Sequence, residues 1–266
     1  EGEVCEATRF GSGHINDTFR IETTATGTVS YLLQRINHHI FTDVDGLMHN
    51  TKLVIDHLKR KLLLVGPEAA EKGTLTLIPT RHGENYYKDE HGDYWRMFIL
   101  LTDTKSYDIV ETPKQAFAGG AAFGKFQKQL ADLDARTLVE VLPNFHNIEF
   151  RMNNLKTAIA ADAASRVVEV QDLLDFIFER EAKMGTILEM AQRKELPLRI
   201  THNDTKFNNV LLDQEDNVQC VIDLDTVMPG FVAYDFGDAI RTIINRAAED
   251  EADPAKITLN IPLYQA

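Results

Sequence analysis

The sequence predicts an α+β chain in two lobes, a β-rich one followed by an α-rich one. Three observations point there. Polar and apolar residues alternate through 17–22, and strand-like runs recur at 30–36 and 94–101. From Pro113 onward the apolar residues return at helical spacing. A polar stretch at 102–112 separates the two regimes. The first lobe is drawn at 1–102 and the second at 103–266, with a ligand expected in the cleft between them. The apolar end at 260–266 and the lack of a starting Met lead to the expectation that the chain continues past 266 and begins inside a longer gene product.

Taken in order, Gly11, Ser12 and Gly13 make a turn ahead of the first strand at 17–22, and Thr26 and Gly27 turn the chain into a second at 30–36. A helix is expected over 45–64, where Leu47, Val54, Ile55 and Leu58 share one face. Residues 75–79 read as a short strand, 83–93 as a polar hairpin, and 94–101 as a buried strand. Pro113 suits the first position of a helix running to about 133. Residues 163–194 read as one long amphipathic helix or two consecutive ones. Short β-runs at 209–213 and 218–223 come next, and 235–246 is helical again.

Composition narrows the partners. Of 266 residues, 44% are hydrophobic and 26% charged, a globular balance that excludes disorder and low-complexity scaffolds. The 28 Lys and Arg against 41 Asp and Glu give a net charge of −13. That argues against nucleic acid or an anionic membrane as partner, because each needs a basic face. A small phosphate-bearing ligand stays open, since backbone amides and a metal can hold it. Cys5 and Cys220 stand far apart and suit reduced thiols of a cytoplasmic protein. No apolar run reaches the ~20 residues a membrane helix needs. A monomer is the default expectation.

The densest chemical signal is HNDTKFNNVLLD at 202–213, followed by VIDLD at 221–225. Asp204 and Asn209 lie five apart ahead of one β-run, and Asp223 ends the next. Kinases use this arrangement: the first Asp takes or orients the acceptor hydroxyl proton, while Asn and the later Asp hold magnesium on the nucleotide phosphates. Hard Mg²⁺ takes oxygen ligands, and phosphoryl transfer is mainly positioning and charge neutralisation. Asp- and Asn-rich turns flanking a hairpin would account for each piece alone. Three spaced elements with apolar β-runs between them weaken that reading.

With VIDLDTVMPG at 221–230 and YDFGDAIR at 234–241 after it, this loop resembles the aminoglycoside-phosphotransferase-like superfamily of small-molecule kinases. Within it the chain is similar to the N-acetylhexosamine 1-kinases, through GSGHINDTF at 11–19, YLLQRIN at 31–37 and WRM at 95–97 as well. The landmarks run in order over about residues 10–246. The resemblance implies a protein-kinase-like bilobal fold, ATP and Mg²⁺ as cofactors, and phosphorylation of the anomeric hydroxyl of a small sugar, GlcNAc or GalNAc. It makes Asp204 the catalytic base, also touching substrate, and Asn209 and Asp223 the metal ligands. Other acceptors of the same fold are choline, homoserine, methylthioribose and aminoglycosides. A non-catalytic nucleotide-binding scaffold is a third reading, favoured by a missing lysine and opposed by the intact Asp204, Asn209 and Asp223.

Other positions leave alternatives. Gly11, Ser12 and Gly13 form a partial glycine-rich loop that can cap phosphates with backbone amides, with His14 and Asn16 at its tip near substrate; an ordinary hairpin turn fits equally. Kinases grip phosphates with a third-strand lysine, but here either Gln34 stands in that column or Arg35 acts from a shifted register. The helix at 45–64 contains no Glu to pair with it, only Asp45 and Asp56. Backbone groups around Phe98 and Leu100 are expected to read adenine. Asp225 takes a second metal, sharing Asp223's strand face, or organises the loop, or serves as a plain N-cap or turn residue. His202 braces the loop, and Lys206 either reaches the transferring phosphoryl group or is a solvated lysine. Asp235 is an N-cap or a partner of loop amides. Asp238 and Arg241 form a surface pair, or Arg241 lines the acceptor pocket.

Overall fold

Antiparallel pairing of three consecutive strands begins the sheet that carries the first hundred residues. The computed structural model describes residues 2–11, 13, 15–24, 29–245, 247 and 251–266. The expected contributions of Ser12, His14, Thr26 and Gly27 lie outside the described residues. Strands β1 (Val4–Arg9), β2 (Asp17–Thr23) and β3 (Tyr31–Ile36) precede helix α1 (Val44–Leu63) and the short α2 (Pro67–Lys72). Strands β4 (Leu77–Ile78), β5 (Tyr87–Lys88) and β6 (Tyr94–Ile99) complete an antiparallel sheet in the order β1-β2-β3-β6-β4, with β5 also on β6. Strand β1 was not foreseen; its six residues are all exposed, so burial left no alternation to read.

The register puts Thr18 opposite Gln34 and Gln34 opposite Arg96, while Asp17, Arg35 and Trp95 line up one position away, on the other face. In β6 only Arg96 and Phe98 are buried, so 94–101 is a one-faced strand rather than a wholly buried one. Helix α1 starts at Asp43, whose side chain accepts the Gly46 N–H at 2.9 Å. It lays Val54, Ile55 and Leu58 against Phe98 and against Phe126 and Leu130 of α3 (Pro113–Leu130). Each fully buried side chain of this kind contributes roughly 1.5–3 kcal/mol. Thr112 and Gln115 form a reciprocal capping box with Pro113 in the first turn, which fixes where α3 begins.

The contacts divide the chain into two compact units, Glu1–Val141 with Arg199–Ala266, and Leu142–Leu198. The second unit holds α4 (Ile148–Ala161), a 3₁₀ turn at Val167–Val170, and the short helices α5 (Gln171–Phe178), α6 (Glu181–Met184) and α7 (Thr186–Gln192). The one long helix or two consecutive ones expected over 163–194 are therefore corrected to a series of shorter ones. Asp162 ends α4 in the left-handed region at φ 37°, and its carboxylate accepts the Arg166 and Val167 amides at 2.9 and 3.2 Å. A side chain that satisfies backbone donors in this way competes with helix continuation. Lys156 of α4 and Glu181 of α6 pair at 2.6 Å.

The first unit resumes with β7 (Arg199–Thr201), β8 (Val210–Leu212), β9 (Val218–Val221), β10 (Met228–Gly230), α8 (Val232–Ile243) and α9 (Ile261–Gln265). β7 pairs with β10, and β8 with β9. Phe207, Val210 and Leu212 pack with Ala116, Ala122 and Phe123 of α3 and Ala239 and Ile243 of α8. Gly119 lets α3 approach, since a Cβ there would stand 2.8 Å from the Phe207 ring. The loop between β7 and β8 is thus clamped between two helices. Among the described residues no helix is long and apolar enough to cross a membrane.

Candidate active site

The loop leaving β7 is shaped by carboxylates of α8. Asp235 is 3% exposed and accepts the amides of His202 at 2.9 Å and Asn203 at 2.8 Å, with Gln127 of α3 bonded to it as well. Of the two roles open to Asp235, this is the loop-amide one; Phe231 is the N-cap of α8, which starts a turn earlier than expected. Burial pushes the Asp235 carboxyl above its ordinary range, although the loop amides pull the other way. Asp238 accepts the Thr205 amide at 2.7 Å, and the Thr205 hydroxyl donates to the Asp235 carbonyl at 2.7 Å. Asn203 takes the left-handed backbone at φ 65° and donates through Nδ2 to Thr226 O at 2.8 Å. His202 is fully buried between Phe123 and Phe126, each ring centroid 5.6 Å away, and its Nε2 lies 2.9 Å from Ile222 O. It braces the loop, as the sequence indicated.

These bonds present Asp204. Asn209 Nδ2 donates to the Asp204 backbone carbonyl at 2.8 Å and to its Oδ2 at 3.1 Å. The amide end of Asn209 is thus turned to Asp204, leaving its carbonyl oxygen as the end for a cation. Lys206 Nζ stands 3.5 Å from the same Asp204 oxygen. The Ile222 amide donates to Asn209 O at 2.9 Å, so the β8–β9 hairpin carries Asn209 and Asp223 together.

Asp223 does not continue β9. It sits in the left-handed region at φ 59°, and a 3₁₀ turn at Leu224–Thr226 follows. The strand-face relation expected between Asp223 and Asp225 is therefore corrected: a turn lies where a strand was drawn. Protein crowded around Asp223 pushes its carboxyl up to about 6, and the negative charges of Asp225 and Asp204 add to the push. Part of the side chain still meets solvent. Clustered carboxylates that resist ionising together, beside an amide oxygen, fit a hard divalent cation. No group of three or more His, Cys, Asp or Glu side chains suited to a metal occurs among the described residues. Two protein oxygens suit Mg²⁺, which takes its other ligands from water and phosphate.

Facing this loop is a polar set on the sheet. Arg96 and Asp225, 3% and 4% exposed at the side chain, form an ion pair with Nη1 2.6 Å from Oδ1. Arg96 Nε donates to Gln34 Oε1 at 3.0 Å, and Gln34 Nε2 donates to Thr18 Oγ1 at 3.1 Å. Asn16 Nδ2 donates to Asp225 Oδ2 at 2.7 Å, while Asn16 Oδ1 accepts the Asn37 amide at 2.9 Å.

The sequence-predicted residues divide accordingly. Asp204, Asn209, Asp223 and Lys206 come together, and Gln34 joins them through Arg96 and Asp225. Arg35 does not: it lies on the opposite face, bonded to Asp17 and 3.2 Å from Asp93. The Phe98 ring belongs to the core, and the Leu100 amide donates to Ser30 O at 2.9 Å. Arg241 is exposed and pairs with Asp238 at 2.8 Å, the surface-pair alternative, although Asp238 also holds the loop at Thr205. Gly11, at φ 80°, and Gly13 have no heavy atom within 4 Å of a Cβ position, which leaves backbone there open to approach. Arg96 is the residue that sequence reasoning passed over, and Asn16, expected at the loop tip near substrate, bonds Asp225 and the Asn37 amide. A lone charge inside the apolar run WRMFIL was the available signal for Arg96, because an unpaired arginine is rarely buried.

Residues 6–265 match the model of a phosphotransferase enzyme family, APH. By fold the chain is similar to the amicoumacin kinase hAmiN in complex with AMP-PNP, Ca²⁺ and Ami, with 12% identity and a TM-score of 0.56 over 90% of this chain and 64% of that one. It is also similar to an aminoglycoside phosphotransferase from Alicyclobacillus acidocaldarius subsp. acidocaldarius, with 12% identity and a TM-score of 0.58 over 88% and 66%. An antiparallel sheet followed by helices is thus a kinase-like α+β arrangement. The chain spans slightly less than two thirds of the length of either structure.

Proposed function

Because the chain belongs to the phosphotransferase enzyme family, we propose that it transfers the terminal phosphoryl group of ATP, with Mg²⁺, to a hydroxyl of a small molecule, and that this is the anomeric hydroxyl of an N-acetylhexosamine. The observation that carries the transfer reaction is the grip of Asn209 on Asp204, at 2.8 and 3.1 Å, on the same hairpin that carries Asp223. Asp204 orients the acceptor hydroxyl and takes its proton; a positioned carboxylate contributes about 10²–10⁴-fold in such a role. Asn209 keeps that carboxylate in one place. Lys206, close to it, offers a positive charge where negative charge gathers on the phosphoryl oxygens. Asn209 Oδ1 and the Asp223 carboxylate would hold Mg²⁺, which when bound neutralises phosphate charge. The exposed backbone at Gly11 and Gly13 caps the phosphates. The lobes at 1–102 and 103–266 supply the nucleotide and acceptor sides. We place the protein in the cytoplasm.

The choice of sugar rests on the resemblance at 11–19, 31–37 and 95–97. The names of the two similar structures, an amicoumacin kinase and an aminoglycoside phosphotransferase, favour a second reading, an aminoglycoside-like acceptor. ADP release measured over a panel of GlcNAc, GalNAc, choline, homoserine, methylthioribose and aminoglycosides, with and without Mg²⁺, separates them. Mg²⁺-dependent turnover on an N-acetylhexosamine is expected. Turnover on amines alone would move the acceptor to the second reading, and no turnover on any would leave a binding protein.

A further inference from the structure

The third strand offers no lysine to the site, and its arginine faces away. A buried cation nevertheless stands on the site's side of the sheet, one strand over. Arg96 on β6 is opposite Gln34 on β3, in the same cross-strand row. Gln34 keeps the column where kinases place the lysine; Arg96 supplies the charge.

We propose that Arg96 is a positioning residue that fixes Asp225, and through Asp225 the turn that aims Asp223 at the Mg²⁺-nucleotide. The proposal rests on the phosphotransferase reading and deepens it. Asp223 is a non-glycine residue in the left-handed region, a conformation that persists only where its surroundings over-determine it. Two residues on, Asp225 Oδ2 accepts a hydrogen bond from Asn16 at 2.7 Å, and its Oδ1 faces the Arg96 guanidinium in an ion pair at 2.6 Å. That is the geometry of an anchor. A second-metal role would need one of these oxygens, so Asp225 takes the loop-organising alternative.

The anchor reaches three parts of the molecule at once. Through Arg96 and Gln34 it is fixed to the sheet register, since Gln34 is itself held by Thr18 at 3.1 Å. Asn16 extends it to the chain that leaves the glycine turn, and the Asn37 amide holds Asn16 from behind at 2.9 Å. A planar guanidinium can meet Gln34 and Asp225 together, whereas a lysine ammonium offers only a point charge. Both charged side chains are almost fully buried, so salt screens the pair little.

The test compares the parent chain with Arg96→Lys, Arg96→Gln and Asn16→Ala, each first checked for folding by a circular-dichroism melt. Amide hydrogen exchange is followed without ligand at 223–227 and at 201–205. Calorimetry then gives the affinity for a non-hydrolysable ATP analogue with and without Mg²⁺. In Arg96→Gln, exchange should quicken at 223–227 and stay slow at 201–205. The affinity for the Mg²⁺-nucleotide should fall about 10–100-fold, the scale of lost support behind a metal ligand, with the metal-free affinity unchanged. Arg96→Lys should recover part of both, and Asn16→Ala should shift both in the same direction by less. An equal fall in metal-free affinity would make Arg96 a direct nucleotide ligand and overturn the proposal, as would unchanged exchange at 223–227. If Arg96→Gln does not fold, the other two variants carry both readouts. A parent chain that binds no Mg²⁺-nucleotide would defeat the phosphotransferase reading alone, and the exchange data would still decide the positioning role.

Discussion

The two sides of the site are held by different kinds of bond. On the loop side, five residues separate Asn209 from Asp204, and the amides of His202, Asn203 and Thr205 find their acceptors on one helix, α8. On the sheet side, Asn16 and Asp225 meet across 209 residues, and Arg96 and Gln34 across 62. Side chain-to-backbone bonds shape the first, and strand register shapes the second. Loop geometry therefore depends on a few acceptors being present, and sheet geometry on which face a residue occupies.

Breaking the loop side at the proposed metal ligand should have the largest effect. Asp223→Ala is expected to lower Mg²⁺-dependent ADP release by on the order of a thousandfold, the scale of losing a preorganised charge at the reacting group. Wild-type rates at raised Mg²⁺ would mean that Asn209 alone suffices. Next comes the helix that sets the loop. Asp235→Ala leaves two buried backbone donors and Gln127 without their acceptor, and should cost about 3 kcal/mol in urea unfolding, with Asp235→Asn milder because one acceptor remains. Gly119→Ala presses on the Phe207 ring and should cost about 1–3 kcal/mol by overpacking; a neutral result would show that the clamp has slack.

The smallest effect is expected on the sheet's outer face. Arg35→Ala should leave nucleotide affinity at the parent value, whereas Gln34→Ala should weaken it; equal losses would undo the distinction between faces. Arg35 is the main cause holding the Asp17 carboxyl below its ordinary range. A depressed folded-state pKa contributes stability above the unfolded value, which is lost as pH falls through the folded one. Below about pH 4 the parent should therefore lose this contribution, less than about 1 kcal/mol for an exposed pair, and Arg35→Ala should lack that part of the acid profile. Denaturant midpoints at pH 3 and pH 6 measure it.

The same contrast explains what could be read from the sequence. Asp204, Asn209 and Asp223 were legible because their spacing is local and the β-runs between them are apolar. The helices at α1, α3 and α8 announced themselves through apolar spacing and, for α3, Pro113, within a few residues of their ends. Helix α4 escaped although Asn147 caps it, with its side chain accepting from the Phe150 amide: only Met152 along it is buried, so the apolar period is faint. Asp162 delayed the start of the helical stretch expected from 163, through side-chain bonds to the Arg166 and Val167 amides that composition does not display. The Gln34 and Arg35 alternatives stayed open because both faces of β3 carry polar residues. Pairing with β6 closed them by matching Gln34 to Arg96 and Arg35 to Trp95.

Asp204→Asn tests the central claim most directly, with ADP release and calorimetric nucleotide binding measured on one preparation. The asparagine keeps the shape and loses the proton acceptor. Phosphoryl transfer should fall by about 10²–10⁴-fold while Mg²⁺-nucleotide affinity stays within a few-fold of the parent. Turnover near the parent rate would contradict the role of Asp204 and the reaction built on it.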